Sequence, residues 1–188
     1  MDSQPCFGFV GVKRSARASC MKDMGCVHTK GSGNRFKVDA VSMLRDRLES
    51  FDEPFIKAVL LFGSTARAES GERSDVDLLV LCEGFDTEDI VARRKLVYRL
   101  LKEVVGDVFE DLTVIDMELV EFLKPKEISS LLLNIYWDAH VVHDKTGTIE
   151  DFLRRVRGSI AESGLKRVRD GRAYYWVLPE PLKEVRIL

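Results

Sequence analysis

The amino-acid sequence predicts a mixed α/β fold of the α+β kind, in which a small mixed β-sheet is flanked by helices. Three observations support this prediction. Short apolar runs at 55–62 and 76–81 are typical of buried strands, helical periodicity marks 37–50 and a segment ending near Val105, and polar and apolar residues alternate over 109–115. The 188 residues are enough for one domain with an appendage, and for a core that needs no disulfide scaffold.

The first half of the chain alternates helical and strand patterns, with Pro and Gly at the boundaries. Pro54 ends the first helical pattern, and Gly63 ends the first apolar run. Asp86 or Thr87 is expected to cap the helix that follows the second strand. In chain order, the predicted elements are a helix over 37–50, a strand over 55–62, a loop with one helical turn over 64–74, a strand over 76–81 and a helix to about Val105.

The second half is predicted to be mainly helical after one more strand. In the strand 109–115, Leu112 and Val114 point to one face while Asp111 and Thr113 point to the other. The later predicted elements are a helix from Pro125 through about Trp137, a short strand at 141–142, a helix over about 149–163 capped by Thr146 or Thr148, and a hairpin of 165–169 and 173–177 around Asp170-Gly171.

The charge distribution disfavours a general nucleic-acid or membrane protein. The chain has 29 basic and 31 acidic residues, but residues 1–35 carry a net charge of +4 and the remainder carries −6. An acidic body does not hold a polyanion by charge alone. The longest apolar run falls far short of the roughly 20 residues of a membrane helix, and no secretory pattern is present. We therefore expect a cytoplasmic protein with reduced thiols.

Residues 1–35 are expected to form a basic, flexible leader. Three cysteines fall there, and the alternative is a zinc site made of Cys6, Cys20, Cys26 and His28. The Cys-x5-Cys-x-His spacing is not that of the usual paired zinc knuckles, so the leader interpretation is preferred.

The stretch 61–80 brings together residue types that phosphate and metal chemistry need. Asp75 and Asp77 lie two apart at the start of a predicted strand, so both carboxylates project from one face, and hard oxygen ligands of this kind suit Mg²⁺. The turn Gly63-Ser64 offers N–H groups and a hydroxyl to phosphate oxygens, and Arg67 adds a forked, permanently charged donor. Alone, the acidic pair and the Gly-Ser step are typical of ordinary turns and Arg67 is typical of a surface charge; their conjunction indicates phosphoryl or nucleotidyl transfer.

This arrangement of Gly-Ser, ten residues and Asp-x-Asp resembles the signature of the DNA polymerase β-like nucleotidyltransferase superfamily. It is most similar to the minimal nucleotidyltransferase branch, an antitoxin-like group, and the resemblance covers about 55–116. The chain departs from the pattern at Ala68, where the branch commonly has Gly, and a positive φ there would strain the loop. The matching positions are Gly63, Ser64, Ala66, Arg67, Glu69, Ser74, Asp75, Asp77, Leu78, Leu79 and Val80.

The resemblance implies a nucleotidyltransferase fold, with a catalytic domain in 36–117 and a helical C-terminal extension with a terminal β-hairpin in 118–188. It implies ATP or another nucleoside triphosphate as substrate, bound by Gly63, Ser64 and Arg67. It also implies two Mg²⁺ ions, which are held by the paired carboxylates and by a third carboxylate on a later strand.

The third carboxylate is matched best by Asp111, which would complete the metal ligands with Asp75 and Asp77. Its parity places it on the face away from Leu112 and Val114, whose apolar side chains suit the core. Glu110 and Asp116 have the opposite parity and remain alternatives.

The implied reaction transfers a nucleoside monophosphate, AMP from ATP, to a hydroxyl. The implied acceptor is a protein, such as a helical partner of the HEPN type, or a small hydroxylated molecule. The alternative is an antitoxin-type protein of a HEPN/MNT pair that acts mainly by forming a complex. Intact carboxylates at 75, 77 and 111 favour the enzyme, because a pure binder does not need them.

The remaining polar and aromatic features of the tail are interpreted as structural. The basic runs 154–157 and 166–169 are interspersed with acidic residues and predict solvated faces rather than nucleic-acid contacts. His140 and His143 flank a short apolar segment, and the aromatic run 174–176 is typical of a core or interface strand.

Overall fold

Six helices and six strands make up the described part of the chain. A computed structural model describes residues 40–69, 75–85, 89–109, 111–180 and 185–188. In chain order the elements are α1 Ala40–Leu48, β1 Ile56–Phe62, α2 Gly63–Ala66, β2 Val76–Cys82, α3 Ile90–Val105, β3 Leu112–Glu118, α4 Leu119–Leu123, α5 Ser130–Asp138, β4 His140–Asp144, α6 Ile149–Glu162, β5 Lys166–Asp170 and β6 Ala173–Val177.

The main sheet has four strands in the order β3-β2-β1-β4. Strands β2 and β3 are parallel, while β1 runs antiparallel to both β2 and β4. Strands β5 and β6 form a separate antiparallel hairpin, as predicted around Asp170-Gly171. The predicted mixed α/β fold is therefore confirmed, and β4, which comes from the predicted extension, lies next to β1 in the sheet.

The two faces of the sheet bury two separate apolar cores. Val76, Leu78 and Val80 of β2 belong to a core with residues of α1 and α3. Leu79 and Leu81 belong to a second core with residues of α4, α5 and α6. Since side chains alternate along a strand, odd-numbered residues at the start of β2 project on the side of α5 and α6.

Several helix boundaries differ from the predicted ones. The N-cap of α3 is Asp89, whose Oδ1 accepts hydrogen bonds from the N–H groups of Val91 and Ala92. The expected caps at 86 and 87 lie outside the described residues. The helix predicted from Pro125 begins later, at Ser130 of α5. The Ser129 hydroxyl caps this helix by accepting a hydrogen bond from the Leu132 N–H. The short helix α4 was not predicted, since five residues are too few to show a helical period.

The predicted leader and its candidate zinc ligands lie outside the described residues. No helix of the described ranges is long and apolar enough to cross a lipid bilayer.

Candidate active site

The turn that the sequence predicts to bind phosphate, Gly63-Ser64, directly follows β1. Gly63 begins the single helical turn α2, and its φ is +77°, a conformation that favours glycine. A Cβ at Gly63 would lie 2.1 Å from Oδ2 of Asp77. The Thr65 hydroxyl donates to the Asp75 carbonyl oxygen at 3.0 Å, which ties the turn to the start of β2. The turn and the Asp-x-Asp pair therefore form one unit, and the carboxylate of Asp77 rests against the backbone of Gly63.

The structure places Asp111 in register with the acidic pair. Strand β3 pairs with β2 so that Thr113 lies opposite Asp77, and the Val76 N–H donates to the Asp111 carbonyl oxygen at 3.0 Å. Leu112 and Val114 pack against the α1/α3 core, so the opposite parity puts Asp111 on the α5/α6 side. The predicted parity of Asp111 agrees with this packing.

Asp116, one of the alternatives for the third carboxylate, instead forms ion pairs with arginines of α3. It is buried at 7% exposure on the α3 side of the sheet, where Arg93 Nε lies 2.6 Å and Arg94 Nε 3.0 Å from its carboxylate oxygens. The other alternative, at position 110, lies outside the described residues. Asp111 is thus the better candidate of the two described carboxylates.

The acidic pair carries unfavourable electrostatics that a cation would relieve. Burial, and then the charge of Asp75, raise the pKa of the Asp77 carboxyl to about 6, and Arg67 only partly opposes this shift. Among the described residues, no group of three or more His, Cys, Asp or Glu side chains is placed to hold a metal ion, so Asp111 does not complete such a group. Mg²⁺ is commonly held by one or two carboxylates with substrate phosphates, and the Asp75–Asp77 pair fits that mode.

Arg67 lies at the turn but is already engaged by other side chains. Its Nε lies 2.9 Å from Glu69 Oε2, and its Nη1 lies 3.2 Å from Asp138 Oδ2. Its guanidinium carbon is 4.7 Å from the centroid of the Tyr174 ring. These contacts fix the position of the guanidinium and use two of its donor groups.

Two cavities lie on either side of Arg67 and share Asp138. The first, of about 220 Å³, is lined by Gly63 of the turn, by one face of α5, and by 172–174 of the hairpin. The second, of about 330 Å³, is lined by Ala66, Arg67, Trp137, Asp138, His140 and Arg157. The first cavity, which Gly63 and Arg67 line, is the candidate nucleotide site, and we call it the turn cavity.

Sequence reasoning missed the cluster that joins the hairpin to the turn. Arg167 Nη1 donates to Asp138 Oδ1 at 2.8 Å, and its guanidinium lies 4.0 Å from the Tyr174 ring centroid. The Tyr174 hydroxyl donates to Glu69 Oε1 at 2.6 Å. These residues come from α5 and the hairpin, far along the chain from the motif, and no local pattern could have shown that they meet.

The histidines and aromatics of the tail have the structural contacts expected of them. His140 Nε2 lies 3.2 Å from the Ala66 carbonyl oxygen. The His143 ring packs edge-on against Phe51, and burial lowers its pKa. The Trp176 Nε1–H donates to Asn134 Oδ1 at 2.9 Å.

Ala68 occupies a backbone conformation that favours glycine, and replacing it should stabilise the protein. Its φ is +55°, the only positive value among the described non-glycine residues. We expect Ala68→Gly to raise the free energy of unfolding by about 0.5–1 kcal/mol, since the left-handed region costs an L-residue about 1–2 kcal/mol while glycine loses more entropy on folding. Urea denaturation measures this change.

The matched control is Ala66→Gly in α2, where φ is not positive. That variant should lower the free energy of unfolding by up to about 1 kcal/mol. Stabilisation by both variants, or by neither, would contradict the assignment of strain to Ala68.

The chain is similar to known proteins over a stretch that includes the turn and the acidic pair. The profile of the family described as nucleotidyltransferase domain matches residues 41–166. No curated protein sequence matches the chain. A chain of a toxin–antitoxin crystal structure with AMP-PNP is 20% identical, with a TM-score of 0.40, and the likeness covers 65% of this chain and 87% of that one. A chain of the structure of tri-AMPylated Shewanella oneidensis HEPN toxin in complex with MNT antitoxin is 18% identical, with a TM-score of 0.35, over 65% of this chain and 91% of that one.

The family match spans more than half of the chain and includes the turn, the acidic pair, Asp111 and Asp138. The chain belongs to the nucleotidyltransferase domain family.

Proposed function

We propose that the protein is a Mg²⁺-dependent nucleotidyltransferase that moves AMP from ATP to a hydroxyl group of a protein or small-molecule acceptor. The observation that carries the proposal is the contact between the Asp77 carboxylate and the backbone of Gly63. A phosphate-binding turn and a metal-binding acid pair must touch if one nucleotide is to be held by both.

The residues of the chain have distinct roles in this reaction. The Gly63 turn, the Ser64 hydroxyl and the Arg67 guanidinium bind the triphosphate oxygens. Asp75 and Asp77 hold Mg²⁺ together with those oxygens. When bound, the metal neutralises the charge that develops on the transferred group and on pyrophosphate.

Asp111 acts at the acceptor. Its side chain is exposed at the end of the sheet where β2 and β3 start, which is also the end that carries Asp75 and Asp77. The acceptor oxygen attacks the α-phosphorus, the bond from that phosphorus to the α,β-bridging oxygen breaks, and pyrophosphate leaves. The hydroxyl proton passes to the Asp111 carboxylate.

The acceptor class follows from the sequence resemblance to minimal nucleotidyltransferases. A helical protein partner of the HEPN type is the first candidate, and a small hydroxylated molecule is the second. If the chain is instead an antitoxin that works only by complex formation, the acidic pair should be dispensable for neutralising a co-expressed partner.

The test is transfer of label from nucleotides to acceptors in a cell lysate with Mg²⁺. Relative to the same lysate without the added protein, we expect additional label on an acceptor from ATP carrying ³²P at the α-phosphate, and no additional label from ATP carrying it at the γ-phosphate, because pyrophosphate is the leaving group. The same assay with GTP, CTP and UTP establishes the preferred base.

The control is the double variant Asp75→Asn/Asp77→Asn. It should abolish transfer and, if transfer is the basis of neutralisation, also fail to protect cells that express the partner toxin. Protection by the double variant would favour the binding function, and γ-phosphate transfer that depends on the added protein would overturn the proposed reaction.

A further inference from the structure

The β5–β6 hairpin forms a wall of the turn cavity although it lies almost entirely beyond the family match, which ends at 166. Asp170 pairs with Ala173, so the hairpin loop consists of Gly171 and Arg172. Arg172 lines the turn cavity together with Gly63 and Arg67. This chain therefore builds part of its candidate nucleotide site from an element outside the matched domain.

The hairpin is held in place by specific contacts with the site. Arg167 of β5 pairs with Asp138, and Tyr174 of β6 donates to Glu69 at 2.6 Å. The Asn134 amide donates to the Tyr174 carbonyl oxygen at 2.9 Å. Because β5 and β6 are anchored on both sides of the two-residue loop, Arg172 is presented to the cavity at a defined place.

Among the described residues, the charges at the turn cavity leave Arg172 uncompensated. Asp138 is matched by two cations, Arg67 and Arg167, and Arg67 also contacts Glu69. In the described part of the chain, no carboxylate lies within ion-pair distance of Arg172, and its side chain is exposed. The cavity therefore has the positive charge of Arg172 available, with Gly63 and Arg67 in the same lining, which suits an anion with several phosphate oxygens.

We propose that Arg172 binds the β- or γ-phosphate of the nucleoside triphosphate and so makes the hairpin a specificity element for triphosphates. This inference rests on the proposed function, because it assigns a substrate group to the same site. Arg172 contacts only phosphates that leave as pyrophosphate, so it discriminates ATP from AMP.

The test is equilibrium dialysis of the full chain with labelled ATP and labelled AMP in the presence of Mg²⁺. Arg172→Ala should weaken ATP binding about tenfold, the effect of losing one charge-assisted contact, and should change AMP binding less than about twofold. Arg172→Lys should retain most of the ATP affinity, because the charge is kept. Thermal unfolding of each variant checks that the fold is unchanged.

Arg155→Ala is the control, because it removes the same charge from an exposed position on α6. It should leave both affinities as in the wild type. Unchanged ATP affinity in Arg172→Ala, or an equal loss for ATP and AMP, would overturn the assignment while leaving the proposed function standing. A wild-type protein that binds no nucleoside triphosphate would overturn the proposed function itself, and this inference with it.

Discussion

Asp77→Asn should reduce AMP transfer by at least about a hundredfold while leaving the protein folded. The substitution keeps the shape of the side chain but removes a charged ligand whose loss costs several kcal/mol of transition-state stabilisation, at about 1.36 kcal/mol for each factor of ten. Transfer of the labelled α-phosphate to the acceptor measures the effect.

The same variant should be more stable than the wild type in EDTA at pH 8. Burial and the neighbouring Asp75 raise the pKa of Asp77 from 3.8 to about 6, so the folded protein binds this proton more tightly than the unfolded chain does. The contribution of Asp77 to the free energy of unfolding is therefore greatest below about pH 4 and is lost as the pH rises through about 6. The amide of the variant cannot ionise, so that loss should be absent from it.

Asp107→Asn is the matched control for both measurements. Asp107 is an exposed carboxylate paired with Arg47 on the surface, and its side chain is 60% exposed. Its replacement should leave transfer unchanged and alter stability by no more than about 0.5–1 kcal/mol. Wild-type transfer by Asp77→Asn, or a loss of stability in EDTA at pH 8, would contradict the role assigned to this carboxylate.

Local patterns predicted the sheet and the position of the acidic residues because both depend on side-chain alternation. Leu112 and Val114 lie on the face of β3 that packs against the α1/α3 core, and alternation therefore places Asp111 on the other face. Strain at Ala68 was expected only on the condition that its φ is positive, and the structure gives a φ of +55°.

The starts of α3 and α5 and the surroundings of Arg67 were not predicted, for two different reasons, whereas α6 begins after Thr148 as predicted. Several polar residues near a helix start can serve as its cap, and the choice of Asp89 depends on local backbone geometry. The cluster of Arg67, Asp138 and Arg167 depends on how α5 and the hairpin pack against the turn. The contact between Arg67 and Asp138 joins residues separated by 71 positions, and such a contact leaves no periodic signal in one sequence.

Gly63→Ala should both destabilise the protein and abolish transfer, and it is the substitution with the largest expected structural effect. Two costs combine at this position. The left-handed φ of +77° costs an L-residue about 1–2 kcal/mol, and the new Cβ would come within 2.1 Å of Asp77 Oδ2. The carboxylate or the turn must move, so the contact that joins phosphate binding to metal binding is lost.

Gly84→Ala separates these two costs, because Gly84 has a φ of +73° but its Cβ would meet nothing within 4 Å. The Gly84 variant should lose about 0.5–1 kcal/mol of unfolding free energy and keep full transfer activity, since only backbone strain is introduced and the loss of glycine's extra chain entropy partly offsets it. Gly63→Ala should lose more stability than Gly84→Ala, in urea denaturation, and its transfer should fall at least as far as that of Asp77→Asn. Equal stability losses in the two glycine variants, with transfer intact in both, would show that Asp77 does not need the space above Gly63.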